Sequence, residues 1–431
     1  MPARLPIGAI WSRLTFETLM MNRFRKTLPM NAFAALLLTL LLSKCKPTED
    51  KPSAPAPVPQ PGSSVFKPKF IIDKSGLHDG VAMGVKPGDT IGIKAGEYTY
   101  FRFRNFTGSQ DKPIVFINYE GLVRVYSTEV NQSNVSFSSS RYFVLTGQGA
   151  NNVPYGFKIG APYKDVSALV IAGKSSDVEI SRVEIDTAGF AGIMAKTDPA
   201  ANDPSTWRDN FTMYNVNIHH NYVHDTRGEG LYIGNSFWNE GVNKTRFPHE
   251  IQGLQIHHNL IERAGCEGIQ YACAANSSVH DNKVQTSGLS PFAAYQDNGV
   301  QIGGGVSGEF YNNEIDKAHN IGLIIVGHRG PLKVHNNLIT NSGGCGVFVD
   351  ERTNSVPGVD IKFTNVTVDG AGEDAFRFYN ETQKNEVSKS VTRNYKRFLF
   401  DRSPKTVPLV ESGNYDGTGA APKGVGYQPT N

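Results

Sequence analysis

The chain has 431 residues, 39% of them hydrophobic, and a formal net charge of +3. So small a charge, with no basic run interleaved with aromatics, argues against nucleic acid as a partner. The apolar content excludes a disordered chain, and 44 Gly with 24 Pro point to many turns in place of long helices.

Residues 1–44 read as a targeting segment, with Met20 or Met21 as alternative starts. Arg23, Arg25 and Lys26 precede an apolar run from Ala32 to Leu42 that is too short to span a bilayer but suits a secretory signal. The stretch from Leu41 to Cys45 resembles the lipobox of bacterial lipoproteins, whose Cys is lipidated, although Lys44 replaces the usual small residue. That resemblance implies a membrane anchor at Cys45 and an exported protein on the outer membrane or cell surface, against simple secretion or a retained anchor. Residues 45–65 are Pro-rich, as an extended tether would be. With Cys45 lipidated, Cys266, Cys273 and Cys345 remain, an odd number without paired metal spacing, and they read as buried thiols.

From Phe66 to Gly121 strands alternate with turns, and Gly76 to Val85 has room for a short helix. Further along, one phrase returns at Ile256, Val279, Phe310 and Val334, in steps of 23, 31 and 24 residues. Such steps are too short for globular domains and match one turn of a solenoid. Ile218 to Gly230 repeats the phrase without a gap, Ile180 to Gly192 more loosely, and Phe363 to Phe378 in degenerate form. Within a copy the pattern has period two, as in Gly299 to Gly303, so each unit is a coil of short strands. These repeats, with the opening phrase from Lys86 to Tyr98, resemble right-handed parallel β-helix proteins of the pectate-lyase-like superfamily. The resemblance implies an all-β body over residues 66–405, about ten coils with an N-terminal cap, followed by a tail over residues 406–431. It implies a monomer and a polysaccharide partner, but no single activity, because the superfamily includes lyases, hydrolases, epimerases and non-catalytic adhesins.

Coils stacked at about 4.8 Å place equivalent residues in columns. Asn221, Asn259, Asn282, Asn313 and Asn337 form one, at a turn where Asn tolerates left-handed geometry. His219, His257, His280, Tyr311 and His335 form a second, facing outward, as an aromatic stack or a transition-metal site. On the strand after each Gly the outward positions include Tyr232, Gln270 and Gln301, and then Gly234, Ala272 and Gly303, a shelf where a flat ligand has access to the backbone. Insertions after Lys196 and Gly234 carry Trp207 and Trp238, two of the three Trp residues, and either ring can stack on a sugar or pin its loop.

Just before the shelf strand, one position holds Glu229, Glu267, Asn298, Ile321, Cys345 and Asp374 in successive coils. Stacked carboxylates at Glu229 and Glu267 need a shared proton, a cation or a cationic side chain, and Arg227 is near in sequence. Three readings stay open: the carboxylate pair of a retaining glycosidase, a hard-cation site for Ca²⁺, and a uronate-handling site. No other cofactor is expected. In the uronate lyases and epimerases of this superfamily a base removes the proton α to the sugar carboxylate while cations stabilise the enolate; Lys196, with Arg329, Asp350 and Arg352 at the strand ends, has suitable chemistry. The catalytic candidates are therefore Lys196, Glu229 and Glu267. The substrate-binding candidates are Trp207, Arg227, Tyr232, Trp238, Gln270, Gln301, Arg329, Asp350 and Arg352. The Asp-rich signature of polygalacturonase-like hydrolases and the Asp-Pro-His turn of mannuronan epimerases are absent. The expected activity is lyase-like or epimerase-like on a uronate-containing glycan, with a non-catalytic adhesive surface protein as the alternative.

Overall fold

A computed structural model describes residues 67–128, 132–350 and 360–429. The targeting segment, Cys45, the tether and Arg352 lie outside the described residues. Among these residues the only helical turn is a 3-10 helix at Pro204–Thr206, and no helix is long and apolar enough to cross a membrane. Short strands stack in parallel into a twelve-stranded sheet, a 23-stranded sheet and a three-stranded strip. This is the expected right-handed parallel β-helix, with twelve strands on one face where about ten coils were expected. The coils without an Asn phrase at the turn are N-terminal, at Gly76–Asp79, Phe101–Arg104, Val135–Ser138 and Leu169–Ala172. The stretch with room for a short helix is instead the strand Gly76–Asp79 and a turn.

One coil shows the plan. Val216–His219 turns at His220 and Asn221 into Tyr222–His224, a second turn leads to Leu231–Ile233, and a loop returns through Glu250–Gln252 to Gln255–His257. On the next coils Leu231 pairs with Ile269 and then Val300, and Ile233 with Tyr271 and then Ile302. All six are fully buried, which is the period-two apolar pattern made into a core column. The glycine before each strand is a packing requirement: a Cβ at Gly268 would lie 2.3 Å from Val284 Cγ1, and one at Gly299 2.4 Å from the Gly322 oxygen.

The Asn column is a continuous buried ladder. Asn221 Nδ2 donates to Asn259 Oδ1 at 3.0 Å, Asn259 to Asn282 at 3.0 Å, Asn282 to Asn313 at 3.0 Å and Asn313 to Asn337 at 3.1 Å. Left-handed geometry, however, falls one residue earlier than expected, at His220, His258, Asp281, Asn312 and Asn336, with φ between 52° and 55°. The Asn side chains thus point inward while the preceding residue makes the turn. Beyond Asp401 the strands Leu409–Ser412 and Tyr415–Asp416 continue the stack. The chain then runs back along the same turns: Asn365 donates to the Gly424 oxygen at 3.0 Å, and Gln428 N–H donates to Asn336 Oδ1 at 2.6 Å.

Candidate active site

The outward column of the twelve-stranded sheet forms as the alternation predicts. Met194 pairs with Tyr232, Tyr232 with Gln270, and Gln270 with Gln301; Gln301 Nε2 donates to Gln270 Oε1 at 3.1 Å. Tyr232 and Gln270 are nevertheless buried, because loops of the chain lie over them. The shelf at Gly234, Ala272 and Gly303 is filled in the same way. Trp238 packs against Ala272 and Cys273, with its ring on Gly305 and the Arg208 guanidinium 3.5 Å from its centroid. Arg329 forms an ion pair with Glu250 and sits 5.4 Å from the same ring. Trp238, expected to meet a ligand, instead holds this loop down, since a small-residue shelf accepts an indole as readily as a sugar; the Arg329 side chain stays 44% exposed beside it. Trp207 is half-buried and donates its Nε1 to the Ala200 oxygen at 2.7 Å. Asp350 is half-buried at the end of its strand.

At the start of the shelf strands, Glu229 and Glu267 are both fully buried. Their carboxylates and Cys266 Sγ bring ligand atoms within 4.8 Å of one another. Asn298 Nδ2 donates to Glu267 Oε1 at 3.1 Å, but Glu229 Oε2, Glu267 Oε2, Gln270 Nε2 and Asn298 Oδ1 are buried without a hydrogen-bond partner in the chain. Burial pushes the Glu229 carboxyl up to about 7, against its own backbone N–H and the charge of Lys196. Burial and then the charge of Glu229 push Glu267 up to about 8. Near neutral pH the pair therefore holds a proton that two solvated carboxylates would have lost.

Asp374, in the same column, shows what a purely structural acid looks like here. It is fully buried, but Arg377 Nε donates to it at 2.9 Å and the Phe398 N–H at 3.2 Å. Among the described residues no such cation touches Glu229 or Glu267.

Lys196 behaves differently from the expected base of lowered pKa. Burial alone would lower it, but Asp198, whose Oδ1 accepts from Nζ at 2.6 Å, together with Tyr232 and Glu229, raises it overall. Its ammonium lies 5.2 Å from the Tyr232 ring centroid, so it is a fixed cation on this face.

Two aromatic rings cover Gly228, the residue before Glu229. Phe190 and Phe292 stack at 5.7 Å, Phe190 meets Tyr232 edge-on at 5.8 Å, and a Cβ at Gly228 would lie 3.0 Å from both Phe rings. Arg227 lies 4.7 Å from the Phe292 centroid and hydrogen-bonds the Ser290 oxygen, so it fastens this roof. Beside the roof runs an open groove of about 470 Å³ whose charged lining is Lys164, Arg227, Arg263 and Asp225. Arg263 donates to both Asp225 oxygens, at 2.7 and 2.9 Å. Lys164, on a turn, and Arg263, in the strand Leu260–Ala264, were missed from sequence because both lie outside the shelf strands. The available signal was Asp225–Arg227 aligning with Arg263–Gly265 on the next coil.

The donor set does not fit Ca²⁺. That ion takes six to eight oxygens, whereas the pair offers two carboxylates, one amide oxygen and a thiol. A shared proton fits the same geometry without further ligands.

No protein-family model matches the chain, and no curated protein matches it in sequence. Among solved structures, full-length tailspike protein 2 from Escherichia coli O157:H7 bacteriophage CAB120 aligns with a TM-score of 0.46 and 9% identity, over 70% of this chain and 39% of its own. This chain thus spans well under half of the tailspike. A PL6 family polysaccharide lyase from Pseudopedobacter saltans aligns with a TM-score of 0.44 and 14% identity, over 84% of this chain and 96% of its own. An alginate lyase from Paenibacillus sp. FPU-7 gives 0.41 and 14%, over 81% and 98%. The likeness is one of fold.

Proposed function

We propose that the protein acts on a uronate-containing polysaccharide by proton transfer at the carbon α to the sugar carboxylate, as a lyase or an epimerase. The observation that supports this most is the Glu229 and Glu267 pair, raised into the neutral range, with Glu229 two residues along the chain from Arg227, which lines a groove with a surplus of positive charge. A carboxylate near neutrality is a competent base, and its protonated neighbour a competent acid. One Glu removes the α-proton; in elimination the bond to the leaving oxygen then breaks, and the second Glu supplies that oxygen with a proton. In epimerisation the second Glu instead gives its own proton to the opposite face of that carbon. Lys196 is the cation that neutralises the uronate carboxylate, in place of the base expected from sequence.

The buried state of Tyr232, Gln270 and Trp238 favours a second reading, a non-catalytic glycan-binding surface using the cationic groove. Incubating the protein with acidic and neutral polysaccharides, while following the absorbance of unsaturated uronates, new reducing ends and exchange of the α-proton, separates the two. Product or exchange on an acidic polymer supports the enzyme; binding that yields neither supports the adhesive reading. The protein is further proposed to be exported and lipid-anchored at Cys45, so Cys45→Ser should move it from the membrane fraction to the soluble one.

A further inference from the structure

The outward His column is more than a row of stacked rings. His219 and His257 stack at 4.7 Å with planes 2° apart, His257 and His280 at 4.9 Å and 2°, and the column continues through Tyr311 to His335. Beside it, the left-handed turn position supplies His220 and His258, whose own rings stack at 4.8 Å. In later coils that position holds Asp281, Asn312 and Asn336, small side chains that favour the geometry. Two adjacent coils therefore present His–His pairs, with Nδ1 atoms 2.8 Å apart in His219 and His220 and 2.9 Å apart in His257 and His258. The third coil presents His280 Nδ1 and Asp281 Oδ2 at 2.7 Å.

Facing Nδ1 atoms at that distance hold one proton between two lone pairs, or a metal ion in its place. With metal–nitrogen bonds of about 2.0 to 2.1 Å, neighbouring ligands stand roughly 2.9 to 3.4 Å apart, close to the spacing already present. The tautomer is prepared as well: His219 Nε2 lies 3.2 Å from Glu179 Oε1, and donation there leaves Nδ1 with its lone pair. Ligand atoms of His219, His220 and His257 lie within 4.8 Å of one another, and so do those of His258, His280 and Asp281. His258 is exposed, which gives an ion a path from solvent.

We propose that this flank binds a late first-row divalent transition metal, with His219, His220 and His257 as one ligand set and His258, His280 and Asp281 as the next along the column. Imidazole-rich sets favour Cu²⁺, Ni²⁺ and Zn²⁺ over Ca²⁺ and Mg²⁺, and Cu²⁺ binds tightest of the series. The site stands on the sheet flank among outward His side chains and shares no residue with the Glu pair.

The test uses the full chain without a polyhistidine tag, titrated with Cu²⁺ against a competing chelator and followed by electron paramagnetic resonance. The wild type should bind one or two equivalents with nitrogen hyperfine coupling. The variant H219Y/H220N keeps the ring stack and the turn, because Tyr311 and Asn312 already fill the same positions on a later coil. It should lose one equivalent, or weaken the first at least tenfold, with an unchanged circular dichroism spectrum. Unchanged binding in that variant, or a wild-type signal without nitrogen coupling, would overturn the proposal.

Discussion

Asn298 donates its amide to Glu267 Oε1 at 3.1 Å and leaves Glu267 Oε2 with no partner, directly beside Glu229. Half-satisfied buried acids of this kind tie stability to pH. Their folded pKa values stand above the unfolded one, so the folded protein binds more protons between about 4.5 and 8. The associated stability is fully present below about 4.5 and is lost as pH rises through 7 to 8. The unfolding free energy from urea titrations should therefore fall across that window by an amount on the order of a few kcal/mol, and Glu267→Gln should flatten the decline. A wild-type unfolding free energy independent of pH between 5 and 8 would mean that the pair is satisfied in some other way.

Activity should divide between the two kinds of charged group. Glu229→Gln and Glu267→Gln should each lower kcat on a confirmed uronate polymer by at least about 100-fold, the usual contribution of a general acid or base, with little change in KM. Lys196→Gln should raise KM for the acidic polymer and leave binding of neutral polymers unchanged, since its part is charge neutralisation. Steady-state kinetics on the purified variants read both. Unchanged turnover in both Glu variants would remove the pair from the chemistry.

The Asn ladder makes a prediction about stability alone. Asn282 accepts from Asn259 Nδ2 at 3.0 Å and from its backbone N–H at 3.1 Å, and donates to the Ile256 oxygen at 2.9 Å. Asn282→Ala removes the partner of the Asn259 backbone N–H, one of the two acceptors of Asn259 Nδ2, which keeps the Ile218 oxygen at 2.8 Å, and the side-chain donor to the Ile256 oxygen. At roughly 1 to 3 kcal/mol for the unsatisfied N–H, with a smaller cost for each of the other two hydrogen bonds, the loss should be about 3 kcal/mol. Lys283→Ala, one residue on, removes only a surface ion pair with Glu314 at 2.9 Å and should cost under about 1 kcal/mol in the same denaturation assay.

These residues also show what could be read from the chain before it was folded. Period two and the returning Asn phrase determine which side chains stack, so the columns at Tyr232, Gln270 and Gln301 and at His219, His257 and His280 were legible. The N-terminal coils were harder, because Phe101, Phe103 and Phe137 fill the core there without a repeated turn residue. What a period cannot show is which long-range segment covers a face. The roof of Phe190 and Phe292 over Gly228, and the Trp238 loop on the shelf, join residues whose contacts depend on loop paths. Alignment placed the two Glu residues together, but the sign of the Lys196 shift depended on Asp198 turning back toward it, a feature without sequence periodicity.

Trp238 and Gly305 give the most direct test of that covered shelf. Gly305 has φ of +80°, a conformation that side chains rarely adopt, and a Cβ there would lie 2.4 Å from Trp238 Cδ2. Gly305→Ala therefore strains the backbone and displaces the indole together, for an expected loss of about 2 to 4 kcal/mol. Trp238→Ala should remove the clash, so the double variant should be more stable than the sum of the two single changes predicts. A double-mutant cycle read by thermal unfolding gives that coupling directly. Strict additivity would show that the indole does not rest on Gly305, and the shelf would then be open to a ligand.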